Sequence, residues 1–107
     1  MDIEDARREI DRIDAELLEL LRRRAVVATG IGRHKRAHGI PVVDPAREAE
    51  VLERAGQALS DSYGPVAGRA IFREILSASR SIQAALAAQP ATFTEKQKPF
   101  DAPPIKL

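Results

Sequence analysis

The sequence predicts an all-α protein in which one very long helix precedes two shorter ones. Apolar residues recur at helical spacing in three segments, and turn-forming Gly and Pro residues separate the segments. No segment shows the two-residue alternation of a half-buried strand. The 107 residues, of which 44% are apolar and 31% charged, have the composition of a single globular domain.

The first predicted helix extends from about Asp2 to about His38. Gly39 and Pro41 end it, because Gly suits the residue just after a helix and Pro often follows. A helix of about 36 residues is on the order of 54 Å long, which exceeds the width of a small domain. Its apolar residues share one side of the helical wheel: Ile3, Ala6, Ile10, Ile13, Leu17, Leu18, Leu20, Leu21, Ala25, Val27, Ala28 and Ile31.

The two shorter helices each begin at a proline that suits a first helical turn. Asp44 caps the second helix, which starts at Pro45 and ends near Leu59, and the third helix runs from Pro65 to about Ala88. The predicted inward residues are Val51, Leu52, Ala55 and Leu59 in the second helix and Ala67, Ile71, Ile75, Ala78, Ile82 and Leu86 in the third, with Ser79 and Gln83 at the edge of that face. We expect residues 1–89 to form the domain and residues 90–107, which contain four prolines, to be an extended or disordered tail.

Composition excludes several classes of function. The chain has no cysteine, so disulfides and thiolate metal sites are excluded. His34 and His38 share a helix face but are interpreted as solvated, and we expect neither a metal nor another cofactor. A net charge of +1 argues against sequence-independent nucleic-acid binding. Neither a membrane-spanning run nor an export signal is evident, so we expect a cytoplasmic protein.

The length of the first helix predicts a homodimer. Two shorter helices cannot cover its whole apolar stripe, which would leave a large apolar surface on a monomer. A closed two-fold dimer is the commonest way to cover such a surface. We therefore expect two chains to pair their long helices antiparallel or nearly so.

Three cations, Arg7, Arg24 and Lys35, fall on the same side of the first helix as its apolar residues. Burying an unpaired cation costs roughly several kcal/mol, and Asp14 is the chief acidic residue on that side. The sequence therefore predicts an anionic ligand. Arg24 and Lys35 are about 16 Å apart along the helix and can converge on one ligand. Arg7 lies roughly 25 Å from Arg24, so in an antiparallel dimer we expect it to serve the site of the partner subunit.

Each of these cations also has a purely structural interpretation. Arg7 could pair with Asp11 or Asp14 on its own helix. Arg24 follows Arg22 and Arg23, and a basic run is usually a solvated face. Lys35 could extend along the helix end into solvent. The same holds for the other polar residues on or beside the predicted packing faces, which are Asp44, Arg47, Glu48, Ser79 and Gln83.

Taken together, these residues and their surroundings resemble a known family. The matching segments are IDRIDAELLELLRRR (10–24), GIGRHK (30–35), GIPVVDPAREAEVL (39–52) and IFREILSASRSIQ (71–83). In this order and at this spacing they resemble the AroQ-type, all-helical chorismate mutases over about Asp5 to Gln83. The resemblance implies an intertwined homodimer of three-helix chains that converts chorismate to prephenate without a cofactor.

The resemblance also implies roles for the site residues. Arg24 and Arg7 of the partner subunit would hold the two carboxylates of chorismate. Lys35 and Gln83 would donate to its ether oxygen, on which negative charge develops. Glu48 would accept from the ring hydroxyl, Arg47 would brace Glu48 or the pocket, and Ser79 and Asp44 would add hydrogen bonds. A Gln at position 83 donates at every ordinary pH, so activity should not require acid.

Three alternatives remain open at this stage. The same scaffold could act as an isochorismate pyruvate lyase or as an aminodeoxychorismate mutase. A non-catalytic helical dimerisation or regulatory module, partnered with another shikimate-pathway enzyme, is the alternative from a different class. Arg80 stands where some relatives have an aliphatic residue, and it could alter which ring substituent is preferred.

Overall fold

The computed structural model describes residues 2–88, which fold into three α-helices: α1 (Ile3–His38), α2 (Pro45–Ala58) and α3 (Pro65–Ala87). The all-helical prediction is confirmed, and the helix bounds lie within one or two residues of those expected. The tail expected over residues 90–107 lies outside the described residues.

Local sequence signals explain where the helices begin and end. Asp2 accepts a hydrogen bond from the Asp5 amide at 2.8 Å, and Asp44 accepts one from the Arg47 amide at 3.1 Å. Both satisfy amides that have no partner in the first turn of a helix. Gly39 ends α1 with a φ of 66°, in the left-handed region that Gly adopts without strain.

Helix α3 packs against both other helices. Arg24 contacts Ser79 while Gly32 lies against Gln83, so α1 and α3 run in the same direction. In contrast, α2 runs antiparallel to α3. Its C-terminal end meets the start of α3 where Gly68 approaches the Ala55 carbonyl, and its N-terminal end meets the last turns of α3.

The core is small and consists of Ala28, Val51, Ala55, Leu76 and Leu86, together with the polar Gln83. The predicted inner face of α2 is confirmed for Val51 and Ala55, which are buried. On α3, Leu86 is buried as predicted, whereas Ile71 and Ala78 are exposed in a single chain. Since α3 packs against two helices, its buried residues also include Leu76 and Gln83, which lie outside the predicted inward set.

The N-terminal part of α1 projects beyond the other helices. The described chain measures 57 × 28 × 23 Å, and the large apolar residues of this part are between 41% and 65% exposed: Ile3, Ile10, Ile13, Leu17, Leu18, Leu20 and Leu21. A single chain therefore leaves much of the apolar stripe of α1 uncovered. Within residues 2–88, none of the helices has the length and apolarity that crossing a bilayer requires.

Candidate functional site

Three polar residues on consecutive turns of α3 define the candidate site. Ser79 contacts Arg24 of α1, Arg80 contacts Glu48 of α2, and Gln83 lies against Gly32 of α1. Positions 79 and 83 are only about 6 Å apart along a helix axis. The C-terminal half of α1, the first turn of α2 and the last turns of α3 therefore meet at one end of the molecule.

Arg24 is half-buried and its Nη1 donates to Ser79 Oγ at 2.6 Å. Ser79 in turn donates to the Ile75 carbonyl at 3.1 Å, which fixes the direction of its hydroxyl. A guanidinium has five N–H groups, so Arg24 has further donors to offer. Among residues 2–88 no acidic side chain forms an ion pair with Arg24. Its charge is thus available to an anionic ligand.

Lys35 holds the loop that joins α1 to α2. Its Nζ is part-buried and donates to the Val42 carbonyl at 2.8 Å. A carbonyl carries no net charge, and an ammonium has three donors. This contact therefore does not neutralise the ammonium of Lys35, which has two further donors near the first turn of α2.

Gln83 is the buried polar side chain of the described chain, with only 8% of its surface exposed. The sequence placed it at the edge of the α3 face. Its Oε1 is buried and has no hydrogen-bond partner among the described residues. Leaving a buried polar atom unsatisfied costs about 1–3 kcal/mol. Such an amide is poised to bind a polar atom of a ligand, because either end of the group can turn toward it.

Gly32 allows Gln83 to lie close to α1, and this role was missed in the sequence. A Cβ at position 32 would lie 3.0 Å from Gln83 Cγ and from Leu86 Cδ1, and 3.2 Å from Gln83 Cα. These distances are shorter than ordinary carbon contacts of about 3.5–4.0 Å. The available signal was a glycine inside a helix, where it costs about 1 kcal/mol relative to alanine.

The first turn of α2 supplies Glu48, whose Oε1 accepts from Arg80 Nη1 at 2.6 Å. Arg47 was expected to brace Glu48 or the pocket, but it is exposed and pairs with Glu50 at 2.7 Å. The reason is helical geometry, because neighbouring residues point about 100° apart whereas residues three apart share a face. The residue that pairs with Glu48 is Arg80 instead. The carboxylate of Asp44 caps α2.

Arg7 is not brought to this cluster within one chain. It is exposed and pairs with Glu4 at 3.1 Å, not with Asp11 or Asp14 as the structural alternative proposed. Its position on α1 precedes Arg24 by seventeen residues, or roughly 25 Å. Only a second chain could bring an Arg7 side chain to this site.

An open groove of about 370 Å³ lies between α2 and α3 beside the cluster. Glu48 and Arg80 line it, but Arg24, Lys35, Ser79 and Gln83 do not. The Glu48–Arg80 pair thus belongs to the wall of this groove. Within one chain the groove alone does not enclose a ligand in contact with Arg24 and Lys35.

The charge of the cluster favours a small anion with more than one negative group. Arg24, Lys35 and Arg80 contribute three positive charges, and Glu48 contributes one negative charge. Residues 2–88 contain no group of three or more His, Cys, Asp or Glu side chains placed to hold a metal ion. The arrangement can bind carboxylates and donate hydrogen bonds to an oxygen that becomes negative.

Comparisons with known proteins identify the family of this chain. The family model for chorismate mutase type II matches residues 6–84. The chain is 37% identical over 103 residues to a bifunctional chorismate mutase/prephenate dehydratase from Aquifex aeolicus, covering 89% of this chain and 28% of that protein. It is 35% identical over 60 residues to a 4-amino-4-deoxychorismate mutase from Streptomyces venezuelae, covering 56% of this chain and 58% of that protein.

The fold is similar to a solved structure as well. A conserved hypothetical protein from Pyrococcus furiosus aligns with a TM-score of 0.65 and 37% identity, covering 76% of this chain and 93% of that chain. Its length is therefore close to that of the described helices. The Aquifex aeolicus protein is much longer than this chain, and the matched segments span less than two thirds of either curated relative.

Proposed function

Because the chain belongs to the type II chorismate mutase family, we propose that it is an isomerase that converts chorismate to prephenate, the branch toward phenylalanine and tyrosine. The observation that carries this proposal is the buried Gln83, whose Oε1 has no partner among the described residues, at the same end of the molecule as Arg24 and Lys35. A dianion with an ether oxygen matches such a set of cations and a neutral donor. The metal-free reaction needs no nucleophile and no proton transfer.

Binding of the carboxylates supplies the first part of catalysis. Chorismate is flexible, and its rearrangement requires a conformer in which two carbon ends meet. Arg24 offers the N–H groups that Ser79 leaves free, and their planar arrangement suits a carboxylate. Holding both carboxylates removes unproductive conformers before the reaction, which lowers the entropic part of the barrier.

Stabilisation of developing charge supplies the second part. As the C–O bond breaks and the C–C bond forms, negative charge grows on the ether oxygen. We assign Lys35 Nζ and the amide NH₂ of Gln83 as the donors to that oxygen. A donor that gains strength only as charge develops stabilises the transition state more than the substrate. Glu48 accepts from the ring hydroxyl and so orients the ring, while Asp44 holds the first turn of α2 in place.

The proposal includes a homodimer in which each site uses Arg7 of the partner subunit. The uncovered apolar residues of α1 support the dimer. Arg7 is exposed and lies far from Arg24 of its own chain. Both facts support a contribution of Arg7 to the site of the partner subunit. The cytoplasmic location and a shikimate-pathway enzyme partner remain predictions from the sequence.

One assay distinguishes the proposal from its alternatives. Purified protein is incubated separately with chorismate, isochorismate and 4-amino-4-deoxychorismate, and the products are identified. We expect prephenate from chorismate, with turnover abolished in Arg24→Ala while sedimentation still shows a dimer. Pyruvate from isochorismate alone would identify a lyase. No turnover of any substrate by a folded dimer would favour the non-catalytic module.

A further inference from the structure

We propose that Arg80 is a specificity-determining residue, which favours a substrate with a neutral hydroxyl on the ring over one with a cationic amine at the same position. Arg80 acts through Glu48, whose charge it neutralises. The inference rests on the proposed function, in which Glu48 faces that ring substituent. It adds a residue of α3 to the recognition of a ring substituent that otherwise contacts only Glu48 of α2.

The contact between Arg80 and Glu48 differs from the other ion pairs of the described chain. It joins α3 to α2 across 32 positions of sequence, and its side chains are 37% and 24% exposed. The pairs along α1 and α2, such as Arg12 with Glu9 and Arg47 with Glu50, join residues three or four positions apart and are more than half exposed. Partial burial makes the Arg80–Glu48 interaction stronger and less screened by salt.

Glu48 by itself does not favour a hydroxyl over an amine. Its Oε1 accepts from Arg80, and its second oxygen can accept from either substituent because a carboxylate is an acceptor only. A lone negative charge at this position would in fact favour a cationic amine. The carboxylate is therefore suited to hold the ring but not to select the hydroxyl.

Arg80 changes this balance because its positive charge lies next to Glu48. The pair has no net charge, so a cationic amine gains little attraction and meets a guanidinium of the same sign. A neutral hydroxyl keeps its hydrogen bond to Glu48 and meets no such repulsion. Selection through an unfavourable contact with the wrong ligand is a general route to specificity.

The test compares kcat/KM for chorismate with kcat/KM for 4-amino-4-deoxychorismate in the full-length protein. In Arg80→Leu the ratio should shift toward the amine by roughly threefold to tenfold, as expected for a partly exposed charge. Arg80→Lys should restore most of the preference. Arg73→Leu is the matched control, because Arg73 lines the same groove two turns earlier on α3, and its ratio should stay at the wild-type value. Arg80→Gln serves as the charge-removing variant if Arg80→Leu does not fold by circular dichroism.

The route through Glu48 is tested separately. In the Glu48→Gln background, the added change Arg80→Leu should shift the ratio toward the amine less than it does in the wild type. In that background the change removes only the repulsion from the guanidinium and releases no carboxylate charge. The role of Arg80 is overturned if the substrate ratio is unchanged in Arg80→Leu, or if it shifts equally in Arg73→Leu. Chorismate turnover by the wild type would still leave the proposed function intact in either case. Absence of chorismate turnover in the wild type overturns both.

Discussion

Replacing Gly32 with alanine tests whether the close contact between α1 and α3 positions the Gln83 amide. The new Cβ would lie 3.0 Å from Gln83 Cγ and 3.2 Å from Gln83 Cα. Since carbon atoms pack at about 3.5–4.0 Å, Gln83 must move away by roughly half an ångström. The Cα belongs to the α3 backbone, so a change of side-chain rotamer cannot relieve the whole contact.

The effect on stability should be small compared with the effect on activity. Alanine favours a helix interior by about 1 kcal/mol over glycine, whereas overpacking a tight contact costs about 1–3 kcal/mol. The free energy of unfolding should therefore fall by about 0–2 kcal/mol. Displacing a catalytic group by about 1 Å can cost on the order of a hundredfold in rate, so we expect kcat to fall by roughly tenfold to a hundredfold.

The assay measures initial rates of chorismate consumption and the free energy of unfolding in urea. Gly68→Ala is the matched control, because its Cβ would lie 2.7 Å from the Ala55 carbonyl oxygen, at the other end of α3. That variant should lose stability, yet its folded form should keep a kcat near the wild-type value. A folded Gly32→Ala dimer with wild-type kcat and KM would refute the positioning role of Gly32.

Two further variants address the charges and donors of the site. Gln83→Glu should shift the pH optimum of kcat downward, because a carboxyl donates only when protonated and its ordinary pKa is about 4.3; an unshifted pH–rate profile would contradict the assignment of Gln83 to the ether oxygen. Arg24→Lys keeps the charge but loses the planar pair of donors, so kcat/KM should fall by about tenfold to a hundredfold. Steady-state kinetics on the dimer checks this, and wild-type kcat/KM would mean that Arg24 acts only as a point charge.

The sequence was sufficient to predict the helices because their ends depend on local chemistry. The Asp44–Pro45 pair and Gly39 act through neighbouring residues, so no knowledge of packing is needed. The same is true of the long apolar stripe of α1, whose excess length follows from periodicity alone. Candidate site residues such as Arg24 and Lys35 could be found because a cation is unexpected on that stripe.

Contacts between helices could not be predicted in the same way. The pairing of Arg80 with Glu48 depends on how far α2 slides along α3, which no local pattern encodes. The burial of Gln83 depends on the packing of α1 against α3. The role of Gly32 depends on the distance between these two helices. The position of Arg47 is an exception, because its i, i+3 relation to Glu50 was visible in the sequence.

The central claim is that each site combines Arg24 of one chain with Arg7 of the partner subunit, and subunit mixing tests it most directly. Arg7→Ala and Arg24→Ala should each be nearly inactive as homodimers. After the two are unfolded together and refolded at equal concentration, about half the dimers are mixed, and each mixed dimer has one intact site of two. We predict that about a quarter of the wild-type activity returns. Mixing Arg7→Ala with the Arg7→Ala/Arg24→Ala double variant, which rebuilds no site, should restore none. No recovery in the first mixture, with mixed dimers shown by mass spectrometry, would contradict the shared site.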